Sequence, residues 1–256
     1  MKKNRIIAVL ATVLLLGFLP MYANGQKETS SKLSLAGSGG YPPFNFMLEN
    51  GSVDGFDVDV AREIASRMGM ELQYVTTSWD GIIEGLRAGR YDGILGSMGI
   101  TEARRKIVDF SDPYYYSGPQ LIVRKDSGIS GIQDLTKDRT VALVTGTTFE
   151  NDARTAGVTV KLYEDDNQTL MELINGRVDG VLTDRIVGLN AMKKMKGGED
   201  LMLAGPVLRT EAMGIAFKKG SPLPSKINMV LKDMRQDGTM KRISDKWFPG
   251  EDITVE

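Results

Sequence analysis

The chain has 256 residues, 41% hydrophobic and 25% charged, with a formal net charge of −1, an ordinary composition for a soluble globular protein of one or two domains. Cysteine and histidine are both absent, which excludes disulfides, thiol nucleophiles, Ser-His-Asp and Cys-His catalysis and the usual zinc clusters. No basic run or stripe occurs, so no nucleic-acid partner is expected, and no motif asks for a metal or cofactor.

Residues 1–5 carry Lys2, Lys3 and Arg5, and 6–19 form an unbroken, mostly apolar run. That run is too short to span a bilayer comfortably and right for the core of a signal peptide. Ala23 and Gly25 offer an Ala-x-Gly site, so 1–25 is expected to be cleaved before Gln26. A lipoprotein would need a cysteine here, and the expected destination is a periplasm. Residues 26–32 read as a polar linker.

Residues 33–37 alternate as a short strand, 38–44 form a glycine- and proline-bearing loop, and 49–52 look like a hairpin turn. A helix opens near Gly55 with Val60, Ile64 and Met68 on one face, Asp57 placed to cap it and Gly69 to end it. Asp59 reads as surface charge. A strand over 71–75, a helix over 80–86 and a buried strand over 92–95 complete a β-α-β-α-β order, which predicts a parallel sheet with helices on both faces.

The stretch 114–125 has no helical period and reads as one long strand leaving the first lobe. The pattern then restarts: strand 141–145, helix from about Thr148, strand 158–163, helix 168–175, strand 180–182, helix 186–196 and strand 201–204. A second long crossing over 211–217 returns, and helices over 223–236 and 239–247 close the chain. The expected organisation is an α/β chain of two lobes joined by two crossings, one discontinuous (33–120 plus 213–256) and one continuous (124–209).

An internal repeat supports two similar lobes. Leu86-Arg-Ala-Gly-Arg-Tyr-Asp-Gly-Ile-Leu95 recurs as Leu173-Ile-Asn-Gly-Arg-Val-Asp-Gly-Val-Leu182, gapless and sharing Leu, Gly, Arg, Asp, Gly and Leu. The copies diverge just past the strand, with Gly96-Ser97 in the first and Thr183-Asp184 in the second. Strand carboxyl ends are where an open α/β sheet binds ligands, so each lobe is expected to deliver a different group there.

Three separated stretches carry a resemblance: Gly55-Phe-Asp-Val-Asp-Val-Ala-Arg-Glu-Ile-Ala65, Asp109-Phe-Ser-Asp-Pro-Tyr-Tyr115, and Asp237-Gly-Thr followed by Lys246-Trp-Phe248. They resemble the family-3 extracellular solute-binding proteins, the polar amino-acid receptors of bacterial ABC importers. The resemblance implies a periplasmic-binding-protein fold: two Rossmann-like lobes joined by two hinge crossings, with the ligand in the cleft. It also implies a monomeric receptor that captures one amino acid and passes it to a membrane permease.

The resemblance assigns site residues. Arg104, in Gly99-Ile-Thr-Glu-Ala-Arg104, matches the arginine that holds the ligand's α-carboxylate, and a guanidinium fork suits that task as lysine cannot. Asp184 matches the acid that takes the α-ammonium, helped from Gly96 and Ser97; it also suits a helix N-cap. Gly99, Thr147 and Thr148 would offer backbone N–H groups to the carboxylate. Tyr41 and Trp79 match the aromatic pair that sandwiches the side chain. Ser38, where cation-selective relatives often have an acid, and Phe149, Gly96 and Gly99, which replace more polar residues, favour a glutamine-like or larger neutral side chain over a cationic one. An alternative on the same fold is a cyclohexadienyl (prephenate or arogenate) dehydratase working through a cleft carboxylic acid such as Asp184.

Overall fold

A computed structural model describes residues 31–256. The expected signal peptide and residues 26–30 of the expected linker lie outside them. Among the described residues no helix is long and apolar enough to cross a membrane.

Two five-stranded sheets carry the fold. The first runs Glu71–Thr76, Lys32–Gly37, Gly93–Ile94, Ala216–Lys218, Val108–Phe110, and the second Thr159–Tyr163, Thr140–Val144, Gly180–Asp184, Pro119–Arg124, Leu201–Ala204. In each, three parallel strands are followed by two antiparallel pairings. The expectation of a wholly parallel sheet is therefore corrected. In both sheets the fourth strand is the continuation of a crossing, and it enters against the direction of the strands already laid down.

Alternate side chains leave the strands for opposite faces. Leu33 and Leu35 join Ile64, Phe217 and Leu231 in one apolar cluster, whereas Ala36 joins Ile82, Leu86 and Ile94 in another. In the second lobe Ala142 and Val181 go one way, and Val141, Leu143 and Leu182 the other. Each sheet is thus sandwiched between apolar layers.

The repeat has a common structural meaning. Each copy ends a helix, Ile82–Arg87 or Asp166–Ile174, turns through a glycine at φ 76° (Gly89) or 69° (Gly176), and feeds the third strand of its sheet. The shared aspartate then ties the third strand to the second, the middle one of the three parallel strands. Asp92 Oδ2 accepts from Ser34 N and Asp179 Oδ2 from Thr140 N, both at 2.8 Å.

Each crossing is built in two pieces rather than as one long strand. The first breaks at Gly118 into Tyr115–Ser117 and Pro119–Arg124, the second at Gly214-Ile215 into Glu211–Met213 and Ala216–Lys218. A Cβ on Gly118 would stand 2.0 Å from the Arg209 carbonyl oxygen, so the two crossings touch backbone to backbone there. Their near halves pair antiparallel, Ser117 opposite Glu211 and Tyr115 opposite Met213. The tail adds an unexpected third strap: Tyr116 N donates to Ile253 O at 2.8 Å, Ile253 and Thr254 are buried, and Glu251 pairs with Arg185 of the second lobe.

Asp57 is not the helix cap that the sequence suggested. Helix Phe56–Arg67 starts from Gly55, at φ 135°, with no side-chain cap, and Asp57 is fully buried. Asp59 is also more than surface charge, since it accepts from Lys246 and Trp247 Nε1 and holds the last helix, Thr239–Trp247, to the first.

Candidate functional site

The carboxyl ends of the parallel strands from both sheets converge on one cavity of about 510 Å³, part of it open to solvent. The first lobe contributes Ser38 and the short strand Gly40–Tyr41, both just after Lys32–Gly37, then Trp79, and Gly96, Ser97, Gly99 and Arg104 from the segment after Gly93–Ile94. The second contributes Val144, Thr147, Thr148 and Phe149 at and after the end of Thr140–Val144, and Glu164, Asp165 and Asp166 after Thr159–Tyr163. Glu211 and Met213 of the returning crossing form part of the wall.

Ten of the eleven residues singled out from sequence line this cavity: Ser38, Tyr41, Trp79, Gly96, Ser97, Gly99, Arg104, Thr147, Thr148 and Phe149. Asp184 is not on the lining. It is fully buried at the end of Gly180–Asp184, where Oδ1 accepts from Ile186 N at 2.8 Å, capping helix Arg185–Lys194, and from Ser117 Oγ at 2.9 Å. Its other oxygen, Oδ2, is buried without a hydrogen-bond partner among the described residues.

Arg104 sits in the short helix Glu102–Arg105, capped by Thr101 Oγ1, which accepts from Arg104 N. Its guanidinium donates to Gly99 O at 2.9 Å and, across the cleft, to Gly146 O at 3.1 Å. It lies 5.8 Å from the centre of the Trp79 ring, within cation–π range. Trp79 Nε1 donates to the same Gly146 carbonyl at 3.4 Å, so two first-lobe donors meet one second-lobe acceptor. Burial depresses the guanidinium's basicity and the nearby Glu211 carboxylate opposes that. Arg105, by contrast, is exposed and lies over Phe110.

The first-lobe wall is braced from behind by Asp57. Its Oδ1 accepts from Tyr114 Oη at 2.7 Å, and its Oδ2 from Asn45 Nδ2 at 2.8 Å and Ser97 Oγ at 2.9 Å. Asn45 Oδ1 in turn accepts from Gly39 N at 2.9 Å and Ser38 Oγ at 3.2 Å, and Tyr114 Oη accepts from Ser97 N at 3.0 Å. This network holds Ser97 at φ 58°, a backbone region that residues other than glycine seldom adopt. Burial pushes the Asp57 carboxyl up to about 6 against the pull of these donors.

The opposite wall is acidic, which sequence reading missed. Asp166 is 6% exposed, and burial, with Asp165 and Asp184 adding to it, pushes its carboxyl up to about 7. Burial likewise raises Asp184 to about 7. The Tyr41 phenol, held well above its usual value by burial, is acted on by Asp184, Asp166 and Glu211 together. Glu211 is paired with Arg209, which also pairs with Asp152 of helix Phe149–Thr155 and so ties the crossing to the second lobe. Glu164 to Asp166 follow a strand end just as Ser38 and Gly96 do, and that placement was the available signal.

Two sandwiched sheets, paired crossings and a polar cavity between strand ends define a two-lobe solute-binding protein. The sequence matches the family model for bacterial extracellular solute-binding proteins, family 3, over residues 33–250, and the chain belongs to that family. It is 35% identical over 220 residues to the L-cystine-binding protein TcyJ of Escherichia coli (strain K12), covering 84% of this chain and 82% of that one. Among solved structures, an ancestral arginine-binding protein bound to arginine superposes with a TM-score of 0.80 at 39% identity, covering 85% of this chain and 98% of the other. The ancestral amino acid-binding protein AncCDT-1, described as a precursor of cyclohexadienyl dehydratase, superposes with a TM-score of 0.80 at 34% identity, covering 85% and 96%.

Proposed function

We propose that the protein captures a polar L-amino acid in the cleft by hinged closure and hands it to the permease of an ABC importer. The observation that carries this reading is Arg104, a cleft-lining guanidinium whose direct hydrogen bonds go to two carbonyls, Gly99 O and Gly146 O. Its planar fork suits a ligand carboxylate. The N–H groups near Thr147 and Thr148, at the start of helix Phe149–Thr155, lie on the facing lobe and suit the same anion. Ser97, Gly96 and Oδ2 of Asp184, which has no hydrogen-bond partner among the described residues, suit the α-ammonium. Trp79 and Tyr41 flank the remaining space for the side chain, and Ser38, Gly99 and Phe149 shape its walls.

A zwitterion gripped by its acid end from one lobe and its amino end from the other draws the lobes together, which is how binding and closure are coupled. The family is one of extracellular proteins, and relatives named for cystine and arginine support an amino acid as cargo. AncCDT-1, a precursor of cyclohexadienyl dehydratase, is itself an amino acid-binding protein, which supports binding over catalysis. The test is calorimetry of the purified, refolded protein against the twenty amino acids. A saturable, one-site response from at least one, lost in Arg104→Ala, is expected, and retention of full affinity in that variant overturns the assignment.

A further inference from the structure

Asp166 has no role in the amino-acid reading, yet it is the buried acid on the cavity wall. It is the first residue of helix Asp166–Ile174, and the cap of that helix is its neighbour Asp165, which accepts from Gln168 N. Gly40 packs closely on Asp165, where a Cβ would approach to 3.0 Å, and this close fit presses the turn against the first lobe. Asp166 is left 6% exposed on the lining, and the charged groups acting on it are two further acids, Asp165 and Asp184.

Around it, buried polar atoms stand without hydrogen-bond partners among the described residues: Thr183 Oγ1, Tyr115 Oη and Asp184 Oδ2. Thr183 is next to Asp184 in sequence and its hydroxyl favours the ionised form of Asp166 against the effect of burial, while the Asp184 charge acts on Tyr115. Thr183 Oγ1 and Tyr115 Oη are hydroxyls that can donate as well as accept, so the atom left wanting a donor is Asp184 Oδ2. Buried carboxylates of this kind are stabilised by a cation and are costly without one.

The charges of the wall do not balance. Arg104 is the lining's one cation among the described residues, against Glu164, Asp165, Asp166 and Glu211. Glu164 is exposed, Asp165 is engaged as a cap and Glu211 is paired with Arg209. Asp166 and Asp184 remain, and a single α-ammonium answers one of them.

Resting on the amino-acid reading above, we propose that Asp166 is the subsite for a second cationic group, so that the ligand is an amino acid bearing an ammonium or guanidinium on its side chain. This reverses the expectation of a neutral side chain, which was drawn from Ser38, Gly96, Gly99 and Phe149, outside the Glu164 to Asp166 segment.

Calorimetry with paired probes of nearly equal shape tests it: arginine against citrulline and lysine against norleucine, on refolded protein at pH 8. Each cationic probe is expected to bind at least tenfold more tightly than its neutral partner. Asp166→Asn should cut that ratio at least fivefold, chiefly by weakening the cationic member. Equal binding within each pair by the unaltered protein, binding of none of the four, or an equal effect of Asp166→Asn on both members of a pair overturns the proposal. Should Asp166→Asn fail to fold, the ratio in the unaltered protein decides alone. Retention of both probes by Arg104→Ala would instead sink the amino-acid reading and leave the charge preference to stand on its own.

Discussion

Asp57 Oδ2 accepts a 2.9 Å hydrogen bond from Ser97 Oγ, joining the second residue of the first-lobe helix to the wall of the cleft. Through Asn45 the same carboxylate reaches the Ser38–Gly39 turn, so one buried acid fixes two segments of the lining. Asp57→Asn turns one acceptor oxygen into a donor facing Tyr114, Asn45 or Ser97. The loss expected is about 1–3 kcal/mol in urea unfolding, together with weaker ligand binding. Tyr114→Phe removes one donor to Asp57 and the acceptor for Ser97 N, and it should reproduce the binding defect. A Tyr114→Phe protein with unaltered stability and affinity would remove the network from the site.

Arg104→Lys keeps the charge and loses the planar fork. Removing one charge-assisted hydrogen bond is worth about 1.5–3 kcal/mol, so affinity for the cognate amino acid should fall about 10- to 100-fold. Arg104→Ala should abolish the ligand-induced rise in Tm altogether. Arg105→Ala, on an exposed residue outside the lining, should leave both unchanged.

The raised carboxyls predict an opposed pH response for stability and for binding. Asp57 at about 6 and Asp166 and Asp184 at about 7 all lie above the unfolded value of about 4. Folding therefore favours their protonated forms. The associated stability is present below the unfolded value and is lost as pH rises through 6 to 7. Ligand-free Tm should fall between pH 5 and 8, and less steeply in Asp166→Asn. A ligand ammonium needs the ionised carboxylates, so affinity should weaken on acidification, by about tenfold per pH unit below 7 for each carboxyl that must shed a proton. The titratable and charged groups facing this pair are Tyr41, Tyr115, Asp165, Glu211 and Arg185. Affinity that is flat from pH 8 to 5.5 would count against both acids as ligand contacts.

Gly118→Ala tests the contact between the crossings. With the Arg209 carbonyl 2.0 Å from the new Cβ, one crossing must move. A loss of about 3 kcal/mol or more is expected in urea unfolding. Gly128→Ala, where nothing stands within 4 Å but φ is 70°, should cost only about 1 kcal/mol, the price of the left-handed backbone.

The repeat was the most legible feature of the sequence, because its glycine and aspartate do the same job twice: Gly89 and Gly176 turn the chain, and Asp92 and Asp179 tie the third strand of each sheet to the second. Strands of two or three residues, such as Gly93–Ile94 and Val108–Phe110, are too short for alternation to reveal their full pairing. The break at Gly118 depends on the second crossing lying against it, a long-range contact. Nothing in Glu164-Asp165-Asp166, between the expected strand 158–163 and helix 168–175, marks one of the three acids as buried. In the fold Glu164 is exposed, Asp165 caps and Asp166 is buried, because the helix begins against the other lobe. Asp57 misled for a related reason. Gly55 takes the cap position, which makes Asp57 the second residue of the helix, facing the core.

The interleaved order of the first sheet also sets a timetable for the nascent chain. All five strands of the second sheet lie between Pro119 and Ala204, so that sheet can be completed before synthesis ends. The first sheet cannot. Its strand Ala216–Lys218 has to slot between Gly93–Ile94 and Val108–Phe110, both made more than a hundred residues earlier, and until it does each keeps an unpaired edge. The half of the molecule that is translated first is thus the half that closes last, and whatever holds this chain before it folds must shield those two edges.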